Sequence, residues 1–165
     1  MIRKIFAILP ILLLTSCQVK ANTDTPFDFE IVWGLGSSSY NSKTGKLTKT
    51  IDVVEHSQED YVTTYFLSDE DKLEFCNSLV NIDIYSYSDE YNMYAEDEER
   101  FMIDPSAGLS LTISDKTIRS PYFFERVPPT NIKGKKFHES IVFLIDILTS
   151  SEEWLALPEY EVYYL

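Results

Sequence analysis

The order of hydrophobic periods along the chain limits the choice of folds more than any other feature of the sequence. Between residues 27 and 67 apolar side chains recur mainly at alternate positions, which is typical of strands that bury one face. The pattern predicts a strand at 27–33, a hairpin with arms 38–41 and 46–54 around the turn Ser42–Gly45, and a strand at 61–67 rich in β-branched and aromatic residues. Strands therefore come first along the chain.

A helix is predicted directly after these strands. Ser68 can cap it, Asp71 stands where a capping-box acid would, and the acids between them favour the positive end of the helix dipole. Apolar residues then recur at helical spacing to about Asn81. Residues 82–87 fit either a short strand or an extended link.

The second half of the chain adds a hairpin and a longer helix. Residues 108–114 alternate apolar and polar side chains, and Asp115-Lys116 turns the chain into 117–120. A stripe at i, i+4, i+7, i+8 and i+11 predicts a largely buried helix over Lys135–Ser150, and Val162 and Tyr164 are candidates for an edge strand. No strand–helix unit repeats. We therefore expect an α+β fold, an antiparallel sheet of about five strands with two helices packed on one face, in a single domain over 27–165.

The first 17 residues have the parts of an export signal. Arg3 and Lys4 make the start positive, residues 5–14 are apolar apart from Pro10, and two small polar residues precede Cys17. This run is shorter than the ~20 residues that span a bilayer but fits the apolar region of a signal peptide. Leu14-Thr15-Ser16-Cys17 resembles the lipobox of bacterial lipoprotein precursors that signal peptidase II cleaves. The resemblance covers residues 1–17 and carries one functional position, Cys17.

That resemblance implies a lipid anchor at the bacterial cell envelope. A diacylglyceryl group would join the Cys17 sulfur, the signal peptide 1–16 would be removed, the new amine would often be acylated, and residues 17–26 would be the lipidated cysteine and its tether. Two or three acyl chains make anchoring durable, whereas one gives marginal binding. Gln18 favours the outer membrane if the cell has two membranes. The alternative is an ordinary secretory signal, for which Ala21-Asn22 lies too far beyond the apolar run to give a good cleavage site.

The acidity of the chain excludes one class of partner and favours another. Loss of Arg3 and Lys4 would leave 12 basic and 27 acidic residues, a net charge of −15 against −13 for the whole chain. Such a body repels phosphate backbones, so nucleic-acid binding is not expected. A basic protein or a cation is the natural electrostatic partner.

An acidic, tyrosine-bearing stretch in residues 85–99 is the most individual part of the chain. Its candidate binding residues are Asp89, Glu90, Tyr91, Tyr94, Glu96, Asp97, Glu98 and Glu99. Carboxylates suit Ca²⁺, which prefers six to eight oxygens, but the order has neither the central glycine nor the ligand register of an EF-hand. The tyrosines, including Tyr85 and Tyr87, would suit docking on a basic protein surface. The alternative is a solvated acidic loop whose tyrosines face into a sheet.

No pattern in the sequence predicts catalysis, a cofactor or a metal site. Gly34-Leu35-Gly36 lacks the third glycine of a dinucleotide loop and the lysine of a P-loop. His56 and His138 have no partner at metal-ligand spacing, and no Gly-x-Ser-x-Gly motif marks a nucleophilic serine. Cys76 lies among apolar helix positions, so we expect a buried side chain. With Cys17 lipidated, Cys76 has no partner for an intrachain disulfide.

These observations lead to a non-enzymatic envelope lipoprotein that binds another protein. A sharper form of this hypothesis is an inhibitor or immunity-type lipoprotein that neutralises a basic hydrolase or toxin through charge complementarity. The alternative is a lipoprotein that binds a small ligand or a cation such as Ca²⁺ through the stretch 85–99. A third hypothesis is an enzyme that uses His56 or His138 in an unfamiliar arrangement.

Overall fold

A computed structural model describes residues 23–34, 38–50, 60–95 and 108–158 of the chain. Six strands form one antiparallel sheet in the order β4-β3-β2-β1-β5-β6. The elements are β1 Phe29–Gly34, β2 Ser38–Asn41, β3 Lys46–Lys49, β4 Tyr61–Thr64, α1 Asp69–Asn81, β5 Gly108–Ile113, β6 Lys116–Ser120, α2 Ile132–Ser150 and α3 Glu152–Leu155. The α+β class and the antiparallel sheet are as predicted, with six strands instead of about five.

The central strand β1 shows how the period of two builds the core. Ile31 pairs with Tyr40 of β2 on one side and with Leu111 of β5 on the other, and each of the three side chains is at most 1% exposed. Burying a large apolar side chain in this way stabilises the fold by about 1.5–3 kcal/mol. The intervening positions on the opposite face, such as Glu30, are exposed or half-buried. One face of the sheet is therefore apolar and the other polar.

The helices cover the apolar face. The ring of Phe75 on α1 lies 4.6 Å from the ring of Phe29 on β1. At the other end of β1, Trp154 of α3 stacks on Trp33 with the ring centroids 6.0 Å apart. The long helix α2 buries Phe137, Ile141, Leu144, Ile145 and Leu148, which confirms the predicted stripe.

Capping side chains explain where the helices begin. Ser68 caps α1 as predicted, because its Oγ accepts a hydrogen bond from the Asp71 backbone N–H at 3.0 Å. The helix α2 begins at Ile132, three residues before the predicted start, because Asn131 caps it through the Gly134 N–H. Ser151 ends α2 and caps α3 through the Trp154 N–H, so Glu152–Leu155 forms a short helix directly after α2.

Two tight turns connect the hairpins. In Ser42–Gly45 the Asn41 side chain accepts hydrogen bonds from the Lys43 and Thr44 N–H groups, and Gly45 takes the positive φ of 71° that the turn requires. The second turn lies at Ser114-Asp115, one residue before the predicted position, and places Ser114 at φ 55°. A two-residue hairpin of this kind needs left-handed backbone conformations, which residues without Cβ branching tolerate best.

Other boundaries differ from the sequence prediction. Residues 82–87 form neither a strand nor a fully extended link, since Ile84–Ser86 is a single 3-10 turn. The fourth strand ends at Thr64 instead of residue 67, because the Leu67 N–H donates to the Tyr40 hydroxyl and leaves the ladder. Val162 and Tyr164, and the part of the predicted 46–54 arm beyond Thr50, lie outside the described residues. Among the described helices, none is long and apolar enough to cross a membrane.

Candidate binding surface

The acidic stretch begins as a short addition to the edge of the sheet. Asp89 O accepts a hydrogen bond from Arg119 N at 2.7 Å, and Tyr91 N donates to Arg119 O at 2.8 Å. Between these bonds Glu90 forms a parallel bridge with Arg119 of β6. The start of the stretch is therefore held by backbone hydrogen bonds and covers the outer edge of β6.

The two carboxylates at this edge already have basic partners. Asp89 lies 3.2 Å from the Lys116 Nζ, and Glu90 lies 3.5 Å from the Arg119 Nη1. Both acidic side chains remain 75% exposed, so each ion pair stabilises the fold by no more than about 1 kcal/mol. The paired cations nevertheless cancel much of the local negative charge. Glu96, Asp97, Glu98 and Glu99 lie outside the described residues.

The tyrosines of the stretch contribute mainly to the core. Tyr94 is fully buried, and its hydroxyl donates to Val127 O at 2.7 Å and accepts from Phe124 N at 3.3 Å. Tyr87 is also buried, and burial raises the pKa of its hydroxyl. Tyr91 is half-buried against the Tyr87 ring, with the centroids 4.7 Å apart. The side chain of Tyr85, in contrast, is exposed. The sequence interpretation that matches this arrangement is the one in which the tyrosines face inwards.

A cation above these rings adds to the packing. The Lys133 Nζ of α2 lies 4.0 Å from the centroid of the Tyr87 ring and 5.5 Å from that of the Tyr91 ring. A lysine over aromatic faces contributes about 0.5–1 kcal/mol at an exposed site. The tyrosine faces on this side are therefore occupied by a side chain of the same protein.

The described residues bring no metal-binding group together. Within 23–34, 38–50, 60–95 and 108–158, no three His, Cys, Asp or Glu side chains lie close enough to hold an ion. Asp89 and Glu90 face separate basic partners instead of a shared centre.

The candidate catalytic residues are part of the packing wherever the structure describes them. His138 is 4% exposed, its Nε2 lies 2.8 Å from Phe124 O, and the Tyr94 ring meets it edge-on. Cys76 is fully buried as predicted, and burial raises the pKa of its thiol. A raised pKa keeps the thiol protonated and unreactive at neutral pH. His56 and Cys17 lie outside the described residues.

A second acidic surface lies around β4 and was not among the candidate sites predicted from the sequence. We call it the β4 acidic surface; its carboxylates are Asp60, Asp69, Glu70, Asp71, Glu152 and Glu153. They come from three places: the residue before β4, the first turn of α1 and the first turn of α3. All six side chains are exposed or half-exposed, and none forms an ion pair with a basic residue of the described segments.

Tyr65 lies within electrostatic reach of two of these acids, one from α1 and one from α3. After burial, the carboxylates of Asp71 and Glu153 are the next causes that raise the pKa of its hydroxyl. A nearby negative charge opposes ionisation of a phenol, so both acids lie within electrostatic reach of Tyr65 although they are far apart in sequence. The first turns of α1 and α3 therefore each place one acid near Tyr65, the residue that follows β4.

Exposed apolar side chains lie on and just after β4, with Val62 on the sheet face opposite the helices. Val62 of β4 is 54% exposed, and Phe66, two residues after the strand, is 63% exposed. Leu155 at the end of α3 is also exposed. Apolar side chains bordered by charge are typical of protein-binding surfaces. Part of the signal was present in the sequence, since acids flank the predicted strand 61–67 at both ends, but the position of α3 beside it was not.

Comparison with known proteins gives no further guide to this surface. No protein-family model, no curated protein and no solved structure matches the chain.

Proposed function

We propose that this chain is a lipid-anchored envelope protein whose domain binds a basic protein and catalyses no reaction. The anchor part of the proposal rests on the residues that resemble a lipobox, which end at Cys17. In a cell with two membranes, Gln18 favours the outer one. The binding part rests on the charge and shape of the described domain.

The observation that carries the binding part is the β4 acidic surface. Six carboxylates without an ion-pair partner among the described basic residues lie just before β4 and at the starts of α1 and α3, and the same edge of the sheet exposes Val62 and Phe66. Complementary charge speeds the encounter with a basic protein, and apolar contacts at the centre supply much of the affinity. The edge at Asp89 and Glu90 is a weaker candidate, because Lys116 and Arg119 offset its charge.

Removing the same number of charges at two places tests the binding part. One variant carries D69N, E70Q and E152Q in the β4 acidic surface. The matched control carries D89N, E90Q and D115N at the opposite edge of the sheet. The full-length protein in neutral detergent is titrated against a folded basic protein, lysozyme, and a folded acidic protein of similar size, at low and high salt.

We expect binding to the basic protein alone, weakened by salt, and about tenfold weaker in the first variant, which corresponds to about 1.4 kcal/mol. The control variant should stay within about twofold of the wild type. An equal loss in both variants would mean that net charge, and not this surface, drives binding. Absence of binding to the basic protein at low salt would contradict the binding proposal.

The anchor is tested separately. Cells grown with an alkyne-tagged fatty acid should incorporate the tag into the wild-type protein and not into Cys17→Ala, which should also leave the membrane fraction. Equal labelling of both proteins would contradict lipidation at Cys17.

A further inference from the structure

Within the described parts of the chain, the two edges of the sheet have different neighbours. Along β6 the backbone of Arg119 is paired on its outer side with Asp89 and Tyr91. The strand β4 ends the sheet on the other side, and no described residue continues the ladder beyond it. An uncovered edge strand is a template for pairing with another chain.

The register shows which backbone groups face outwards from β4. Tyr65 N donates to Gly45 O at 2.8 Å, so Tyr65 points its backbone towards the β3 side. Hydrogen-bonding directions alternate along a strand, so Thr63 and Tyr61 point the same way. The N–H and C=O groups of Val62 and Thr64 therefore face away from the sheet.

The side chains of β4 present little obstacle to pairing with another strand. Natural edge strands are commonly blocked by lysine, proline, a bulge or a covering segment. The four residues of β4 are Tyr61, Val62, Thr63 and Thr64, with no charged residue, no proline and a regular register against β3. Val62 and Phe66 expose apolar surface on one side of the edge.

We propose that β4 accepts an extended, basic segment of a partner protein as a seventh strand. The proposal rests on the proposed function, in which the partner is basic, and names the site and the mode of binding. Backbone groups of Val62 and Thr64 pair with the incoming strand, its apolar side chains contact Val62 and Phe66, and its lysine or arginine side chains face the β4 acidic surface.

The negative charge around β4 favours a basic partner strand over a second copy of this chain. The carboxylates at both ends of β4 would repel another acidic strand, so a second copy of this chain would bring like charges together. Lys46 and Lys49 lie one strand inwards, opposite Thr64 and Tyr61, and still leave the six acids in excess by four. An added strand would pair with the outward backbone groups of β4, and basic side chains on that strand would complement the carboxylates around it.

A peptide assay on the full-length protein in neutral detergent tests the mode of binding. The probe is a fluorescent peptide of about eight residues in which lysine and valine alternate. The control probe has the same sequence with every backbone nitrogen methylated, which keeps the charge and blocks strand pairing through either edge of the peptide. Anisotropy measures the affinity, and hydrogen exchange measures protection of the Val62 and Thr64 amides.

Two substitutions at one position separate the backbone from the side chain. T64P removes an outward N–H that no described residue accepts, which proline at a sheet edge permits. T64A keeps that N–H and removes the side chain. We expect T64A to bind within about twofold of the wild type and T64P at least fivefold more weakly, since one hydrogen bond is worth about 1 kcal/mol. The methylated probe should not bind, and both amides should exchange more slowly in the complex.

Several results would overturn strand addition. Equal binding to T64P, or equal binding of the methylated probe, would rule out strand addition at β4. The proposed binding of a basic protein would not be affected, because the lysozyme titration tests it separately. Lack of peptide binding alongside lysozyme binding would have the same meaning. Self-association that T64P abolishes would assign the edge to a second copy. If T64P fails to fold by circular dichroism, the methylated probe and amide exchange decide.

Discussion

Substitution of Gly134 by alanine tests how closely α2 packs against the backbone of Met93, in the segment after the 3-10 turn Ile84–Ser86. A Cβ at this position would lie 2.5 Å from Met93 O and about 3 Å from both polar atoms of the Asn131 side chain. Carbon and a backbone oxygen do not approach so closely, and backbone cannot swing aside as a flexible side chain can. Either α2 must shift away from Met93, or the Asn131 side chain that caps α2 must move.

The expected change in the free energy of unfolding follows from the Asn131 hydrogen bonds that an added Cβ would disturb. Asn131 accepts from Gly134 N at 2.6 Å and donates to Met93 O at 2.8 Å, so one side chain caps α2 and holds this segment. Overpacking costs about 1–3 kcal/mol, and loss of the cap costs about 1 kcal/mol. Alanine regains up to about 1 kcal/mol of helix propensity. We expect G134A to lower the free energy of unfolding by about 1–3 kcal/mol.

Urea unfolding followed by tryptophan fluorescence measures the change. The matched control is G108A, where the nearest atoms to an added Cβ are at 3.4 Å and 3.8 Å and φ is not in the left-handed region. It should change stability by less than about 1 kcal/mol. A G134A protein as stable as the wild type, or more stable, would refute the close packing of α2 on Met93.

Two further predictions concern buried groups. Y94F should lower the free energy of unfolding by about 1–3 kcal/mol in the same assay, because the Val127 carbonyl loses its 2.7 Å donor inside the protein; an unchanged urea midpoint would contradict that bond. Burial raises the pKa values of Cys76, Tyr40 and Tyr87, so the folded state holds these protons more tightly than the unfolded state. The stability they contribute is present below the unfolded-state pKa values and is lost as pH rises above them towards the folded-state values. The urea midpoint should therefore fall with pH above about 9, less steeply in C76A, and a midpoint independent of pH there would contradict the raised pKa values.

Local signals predicted the elements of the fold well. The alternation around Ile31 and the stripe from Phe137 to Leu148 each depend on which face of one element is apolar, and this can be read from a single stretch of sequence. Ser68 and its acidic turn marked the start of α1 for the same reason. Asn131 was missed as the cap of α2 because Ile132 and Lys133 do not belong to the apolar stripe.

The candidate binding residues were harder to place. The acidity of Asp89 and Glu90 was plain from the sequence, but Lys116 and Arg119 are 27 and 29 residues away and reach them only through pairing with β6. The burial of Tyr94 depends on a loop around residues 124–127 that closes over it. Partners so distant in sequence leave no local pattern.

The sequence by itself determined the order of strands and helices, the apolar face of each and the excess of negative charge, because periodicity and composition belong to the chain. Only the tertiary structure decided that Asp89–Tyr91 pairs with β6 at one edge of the sheet, while β4 at the other edge has no neighbour among the described residues. It alone placed Asp71 of α1 and Glu153 of α3 within electrostatic reach of the same tyrosine, Tyr65. Neighbouring strands and docked helices are chosen by the packing of the whole core, so the two edges of the sheet acquire different surroundings from similar local sequences.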